Sequence, residues 1–184
     1  MTFVAVYDAN VLYPSTLRDV LIRIALGGLV QAKWTEEILE ETFRSLAKNR
    51  PDLDAGRLAR TRQLLRTVVS DSMVTGYEEL IPAISLTNDP NDRHVVAAAV
   101  KSGAQAIVTF NVKDFPAREL EKWGIEAKHP DDFLVDQFYL NGPAVHRAIQ
   151  AIADAWTNPP GTAHDVLNSL ERDGLPQITA LLRR

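Results

Sequence analysis

The chain has no cysteine among its 184 residues, which excludes disulfides and thiolate metal sites. A chain without disulfides is typical of a reducing compartment, so we expect a cytoplasmic protein. No apolar run approaches the roughly 18 residues needed to span a bilayer. The N-terminus reaches Asp8 without a preceding basic segment, which is not the pattern of a signal peptide. The sequence therefore predicts a protein that does not enter a membrane.

The composition shows no extreme bias. Apolar residues make up 46% and charged residues 24%, which is ordinary for a globular protein. At roughly 100–200 residues per domain, the length fits one domain with a small appendage. The net charge of −4 argues against a general nucleic-acid coat protein. Residues 44–66 differ, with seven basic residues and two acidic ones, and form either solvated helix faces or a phosphate-binding rim.

Strand and helix patterns alternate through the first two thirds of the chain. Apolar, β-branched runs at 2–7 and 106–110 predict two buried strands, and weaker patterns suggest strands at 83–86 and 125–128. Amphipathic helices separate them and are long enough for parallel crossovers, so we predict an α/β fold with helices on both faces of the sheet. Beyond residue 131 the pattern is helical, with a break at 158–161.

Oxygen-bearing side chains follow the two clear strands or lie on helices expected nearby. Ligands of parallel α/β sheets bind at the carboxyl ends of strands, which makes these residues a candidate site. Oxygen ligands alone suit Mg²⁺ or Mn²⁺ rather than zinc, and clustered carboxylates need a cation between them. Such clusters typically serve phosphoryl chemistry. The candidates are Asp8, Asn10, Glu41, Asp92, Thr109, Asn111 and Asp114.

Each of these acids also has a purely structural interpretation. Asp8 and Asp114 could be turn residues, and Asp92 could complement a helix dipole. Glu41 could be a solvated surface residue. Asp89 precedes a proline and is interpreted as an N-cap, and His94 as a helix-surface residue.

In their order along the chain, four motifs resemble the PIN domain family of metal-dependent nucleases. They are VYDANVLYP at 6–14, ILEETFRSL at 38–46, NDPNDRHVVAAA at 88–99 and VTFNVKDFP at 108–116. The resemblance covers roughly residues 3–130 and is closest to bacterial VapC-type toxins with a longer, helical C-terminus. It implies a three-layer α/β/α fold with a central parallel sheet, divided into a nuclease domain at 1–130 and a helical extension at 131–184.

The resemblance also implies which residues act. Asp8, Glu41, Asp92 and Asp114 would hold the metal, with Glu40 as an alternative to Glu41. Thr109 and Asn111 would hydrogen-bond the phosphate or a metal-bound water. Many relatives carry an aspartate where this chain has Asn111, which removes one fixed negative charge and puts a tightly bound second metal in doubt.

The activity implied by the resemblance is that of an Mg²⁺- or Mn²⁺-dependent endoribonuclease. Such proteins form homodimers and are silenced by a cognate antitoxin. A metal-bound water would attack the phosphate, with Glu41 orienting it. The RNA contacts would come from Asn10 and from the basic segment, through Arg44, Lys48, Arg57 and Arg60.

Two other functions remain open from the sequence. A PIN-like fold could bind RNA or protein without cleaving, which the exchange to Asn111 favours slightly and the retained acids oppose. A phosphatase of the haloacid dehalogenase type would also place an acid after the first strand. That family expects a second aspartate at position 10, where this chain has Asn10.

Overall fold

A computed structural model describes residues 2–184 and contains a four-stranded sheet. The strands are β1 (Val4–Tyr7), β2 (Gln31–Lys33), β3 (Ala106–Val108) and β4 (Glu126–Lys128), in the spatial order β2-β1-β3-β4. All three neighbouring pairs are parallel, with Val6 opposite both Lys33 and Ile107. The predicted parallel α/β fold is therefore confirmed.

Helices connect and cover these strands. They are α1 (Ala9–Leu12), α2 (Ser15–Leu26), α3 (Glu36–Asn49), α4 (Ala55–Thr67), α5 (Arg93–Ser102), α6 (Ala117–Leu120), α7 (Pro130–Ala155), α8 (Ala163–Arg172) and α9 (Pro176–Leu182). One-turn or two-turn 3₁₀ helices lie at Glu78–Ala83, Pro90–Asp92, Val112–Asp114 and Glu121–Trp123. No helix within residues 2–184 combines the length and the apolar character needed to cross a membrane.

The core lies on both faces of the sheet, as the central strand shows. Ala5, Val6 and Tyr7 are consecutive in β1 and fully buried, which requires cover on both sides because successive side chains point to opposite faces. The Tyr7 ring stacks on Trp34 and meets Phe133 edge-on. Helices from both halves of the chain therefore pack against one continuous core.

One local prediction about strands was wrong, and one strand was missed. Residues 83–86 form no strand, because Ala83 ends a 3₁₀ helix and the N–H of Ile84 donates to the Ile81 carbonyl of that helix at 3.0 Å. The strand β2 was not predicted, because Gln31 and Lys33 interrupt its apolar pattern. Lys33 is nevertheless buried, and its ammonium group donates to the carbonyl of Asp71 at 2.5 Å.

The last three helices pack on the sheet-containing part of the chain. Helix α7 contacts α2, α8 and α9, and the Thr16 hydroxyl of α2 hydrogen-bonds the Ser169 hydroxyl of α8 at 2.8 Å. The predicted break precedes a capping box in which Thr162 and Asp165 exchange hydrogen bonds. Buried Asp131 accepts hydrogen bonds from the N–H groups of Gln177 (2.9 Å) and Ile178 (2.8 Å), so it caps α9 from α7.

We expect Asp131→Ala to lower the free energy of unfolding by about 1–3 kcal/mol, because two N–H groups at the start of α9 lose their acceptor. Chemical denaturation measures this difference. Asp132→Ala is the matched control, since Asp132 lies beside it but accepts only an exposed hydrogen bond from the Gln177 side chain. Equal losses for the two variants would contradict the assigned role of Asp131.

Candidate functional site

The candidate site is a cleft at the edge of the sheet where β1 and β3 end. The cleft measures about 420 Å³ and is lined by Asp8, Ala9, Asn10, Tyr13, Glu41, Thr42, Ser45, Asn49, Asp89, Asp92 and Asn111. Asp8 follows β1 directly and is the N-cap of α1, accepting a hydrogen bond from the N–H of Ala9 at 2.8 Å. The strand therefore delivers a carboxylate whose orientation is fixed by its own backbone.

A hydrogen-bond network joins the ends of the two central strands. The Thr109 hydroxyl, at the end of β3, donates to Asp8 Oδ2 at 2.9 Å. The Asn10 amide group donates to the Thr109 oxygen at 3.0 Å, and the Asn10 carbonyl accepts from the N–H of Phe110 at 3.0 Å. Thr109 is fully buried and its hydroxyl holds Asp8, while its contact with the phosphate or a metal-bound water stays a prediction. Asn10 bridges β1 and β3 with both ends of its amide.

Three aspartates lie together at the cleft: Asp89 and Asp92 line it, and Asp114 adjoins them. Asp89, Asp92 and Asp114 each offer a carboxylate oxygen, and these oxygens lie within 4.8 Å of one another. Asp89 is the expected N-cap, because its side chain accepts from the N–H of Asn91 at 3.1 Å. The same carboxylate also lies beside those of Asp92 and Asp114.

Glu41 enters the cleft from α3 and is joined to His94 of α5. The distance from Glu41 Oε1 to His94 Nε2 is 2.8 Å. Glu40, the alternative in the sequence, lies outside the cleft lining, and its carboxylate binds Arg62 at 2.7 Å. His94 is only 3% exposed, so the expectation of a helix-surface histidine was wrong. Its ring lies against the side chains of Glu41 and Glu37 of α3.

The electrostatics of the cleft are those of uncompensated negative charge. Burial raises the pKa of Asp92 to about 7, and the charges of Asp8, Asp89 and Glu41 add to this effect. Burial also raises the pKa of Asp8, against the opposing effect of its hydrogen bonds from Thr109 and Ala9. For His94, burial lowers the pKa, but the contact with Glu41 and the charges of Glu37 and Asp92 together outweigh it and the net shift is upward.

The predicted basic contacts lie outside the cleft. Arg44 and Lys48 are exposed on α3, Arg57 and Arg60 are exposed on α4, and none of the four lines the acidic cleft. Arg62 and Arg66, from the same basic segment, are bound by Glu36 and Glu40. Part of the basic segment thus holds α3 to α4, as the solvated-face interpretation allowed.

Two residues of the site were missed at the sequence level. Asp89 carried a usable signal, because it precedes Asp92 by three residues and a 3₁₀ helix brings residues i and i+3 to the same side. His94 carried a weaker one, since it lies among the buried valines and alanines of α5. Its contact with Glu41 joins residues separated by 53 positions, which no local pattern reveals.

Comparison with known proteins places this geometry in a family. Residues 4–113, more than half of the chain, match the PIN domain. The chain belongs to the PIN domain family. The C-terminal part of this PIN protein, residues 130–184, matches the VapC50 C-terminal domain. The resemblance seen in the sequence motifs is thereby confirmed.

A curated relative resembles a part of this PIN protein. It is the "Putative ribonuclease VapC50" of Mycobacterium tuberculosis (strain ATCC 25618 / H37Rv), 45% identical over 109 residues. The aligned region covers 59% of this chain and 63% of that relative, so the match spans less than two thirds of the relative's length. No solved structure gives a significant match.

The pKa of Asp92 predicts how stability depends on pH in the absence of metal. Its folded pKa of about 7 lies above the ordinary value of 3.8, so its protonated form favours folding below pH 4 and this contribution is lost as pH rises through 7. Asp92→Asn removes the charge at all pH values. Measured in EDTA, Asp92→Asn should gain stability relative to wild type as the pH rises. The difference in the free energy of unfolding should grow by about 1–2 kcal/mol between pH 4.5 and 7.5, after allowance for solvent screening of this partly exposed group. A difference that does not change with pH would contradict this prediction.

Proposed function

We propose that this PIN protein is a divalent-metal-dependent endoribonuclease that hydrolyses RNA phosphodiester bonds as the toxin of a toxin–antitoxin pair. The observation that carries the proposal is the group of Asp89, Asp92 and Asp114, whose carboxylate oxygens lie within 4.8 Å of one another at the end of a parallel sheet. The relative named a ribonuclease supports RNA as the substrate.

The residues of the cleft fit a divalent cation. The donors are carboxylate oxygens, which suit Mg²⁺ or Mn²⁺. The upward shift of the Asp92 pKa means that the ionised form of Asp92 is disfavoured in the cleft. A bound cation would stabilise that ionised form. Asp8, Glu41, Asp92 and Asp114 would hold the ion, with Asp89 added to this set on the basis of its position. When bound, the metal would polarise the phosphate and activate a water.

The remaining residues of the cleft would position and orient. Thr109 would keep Asp8 in place through its hydroxyl, and Asn10 would fix the spacing of the two strand ends. Glu41 has one oxygen hydrogen-bonded to His94 and would turn the other toward the ion, where it would also orient the attacking water. Asn111 is exposed on the cleft lining, where its side-chain amide would contact the phosphate.

The partners and the division of the chain form part of the same proposal. A nuclease domain at 1–130 and a helical extension at 131–184 are supported by the separate family matches to 4–113 and 130–184. The VapC designation of the relative supports an antitoxin as the protein partner, and we extend the proposal to a homodimer. An RNA substrate and the absence of cysteine fit action in the cytoplasm.

Metal dependence is tested with purified protein and RNA. We expect cleavage with Mg²⁺ or Mn²⁺ and complete loss in EDTA, and loss in Asp8→Asn and Asp92→Asn, which remove charge at nearly constant shape. Full cleavage after rigorous chelation would exclude the mechanism. If the folded protein binds RNA but cleaves none with either metal, the non-catalytic PIN-like alternative takes its place.

A separate experiment decides whether Asp89 belongs to the metal site. Asparagine caps helices about as well as aspartate, so Asp89→Asn should leave stability unchanged. We expect it to weaken Mn²⁺ binding and cleavage at least tenfold, because it removes one of the three grouped carboxylates. Asp54→Asn is the matched control, since Asp54 caps α4 in the same way outside the cleft. Unchanged Mn²⁺ binding in Asp89→Asn would leave Asp89 as a cap only.

The RNA-binding surface is tested through the salt dependence of binding. If Arg44 and Lys48 contact phosphates, replacing both by Gln should lower the slope of log K against log salt by roughly 0.7–0.9 per contact. Arg172→Gln with Arg183→Gln is the control, because it changes the net charge equally on the C-terminal helices. The same slope in both double variants would identify Arg44 and Lys48 as solvated surface residues, and the matching pair Arg57 and Arg60 can be tested in the same way.

A further inference from the structure

Among residues 2–184, His94 is the one histidine that exposes less than a tenth of its surface, and its ring contacts an acid of the cleft. Its Nε2 lies 2.8 Å from Glu41 Oε1. Its Nδ1 lies 3.8 Å from a Glu37 oxygen and has no hydrogen-bond partner within residues 2–184. Glu37 has a partner of its own, because the Tyr77 hydroxyl donates to the same oxygen at 2.9 Å. The single hydrogen bond of the His94 ring is therefore the one to Glu41.

We propose that His94 is a positioning residue, which holds the Glu41 carboxylate in the orientation that the candidate metal site requires. The proposal rests on the proposed function of that site. It assigns His94 no contact with RNA or metal: the residue acts through Glu41.

The position of His94 in the fold gives it this role. Asp92 and His94 are two residues apart at the start of α5, whereas Glu41 comes from α3. The side chain of Glu41 is long and about one third exposed, so without a partner it would sample several rotamers. The bond from His94 connects it to the same helix end that carries Asp92. The distance between the carboxylates of Glu41 and Asp92 is then fixed by the start of α5.

The distance excludes a cation between His94 and Glu41. At 2.8 Å, the nitrogen and oxygen are in direct hydrogen-bond contact, and Nε2 donates its proton to the carboxylate. Although Glu37, Glu41 and His94 are close enough to resemble a ligand set, this contact uses the Nε2 position. The second oxygen of Glu41 stays available to the cleft. Partners of this kind behind a ligand typically change metal affinity by 10- to 100-fold when they are removed.

The test measures Mn²⁺ binding by titration calorimetry without RNA, so that the readout does not depend on turnover. His94→Leu keeps a buried apolar side chain but removes the donor, and we expect it to weaken Mn²⁺ binding at least tenfold. His94→Gln offers an amide N–H near the position of Nε2, and binding should stay within about threefold of wild type. His146→Leu, on the exposed surface of α7, is the matched control and should bind as wild type does. Unfolding in EDTA verifies that each variant is folded.

A double-mutant cycle with Glu41→Gln decides whether His94 acts through Glu41. The loss caused by His94→Leu should disappear in the Glu41→Gln background, because the residue it orients no longer carries the charge. A loss that persists there overturns the proposal. It is also overturned if His94→Leu binds Mn²⁺ as wild type does, or if Gln and Leu weaken binding equally.

Wild-type protein and Asp92→Asn separate this proposal from the proposed function on which it rests. If wild type binds no Mn²⁺, or if Asp92→Asn binds it equally well, the metal site itself is wrong and both proposals fall. If wild type binds Mn²⁺ through Asp92 while His94→Leu does the same, only the role of His94 is overturned.

Discussion

The hydrogen bond between the Thr109 hydroxyl and Asp8 Oδ2 is the interaction on which the architecture of the cleft depends. It joins the ends of β1 and β3, the two central strands, at the edge where parallel strands present their carboxyl ends. Asn10 reinforces it by bonding to both Thr109 and the backbone of Phe110. A buried carboxylate needs such partners because burial without them is costly. The donors thus offset part of the cost of burying this carboxyl group, although burial still raises its pKa.

Negative charge is the second constraint. Helix α3 and the helix starts before α5 and after β3 bring further acids to the same cleft, and burial together with their repulsion raises the pKa of Asp92. Several acids outside the cleft form ion pairs instead, as Glu36 and Glu40 do with the arginines of α4 and Asp136 does with Lys128. Clustered carboxylates repel one another, and a bound cation would remove that repulsion.

The helical C-terminus is part of the same packed body. Tyr7, in the central strand, contacts Phe133 of α7, and Asp131 of the same helix caps α9. Helices α7 and α8 also contact α2, which follows β1 and α1 in the chain. The C-terminal helices therefore stabilise the part of the fold that carries Asp8. The extension is thereby coupled to the element that carries Asp8, although its own residues are absent from the cleft lining.

The sequence by itself determined the parallel α/β fold, the strand ends that carry Asp8 and Thr109, and the helix starts at Asp89 and Thr162, because periodicity and caps are local signals. It also placed Asp92, Asp114 and Glu41 as candidates. Only the tertiary structure decided that Glu41, and not Glu40, faces the cleft. It also buried the Thr109 side chain, where it supports Asp8, and it brought His94 to Glu41. It also showed that β2 is a strand and 83–86 is not. These outcomes depend on contacts between residues far apart in the chain, whose distances are set by how the layers pack and leave no periodic trace in the sequence.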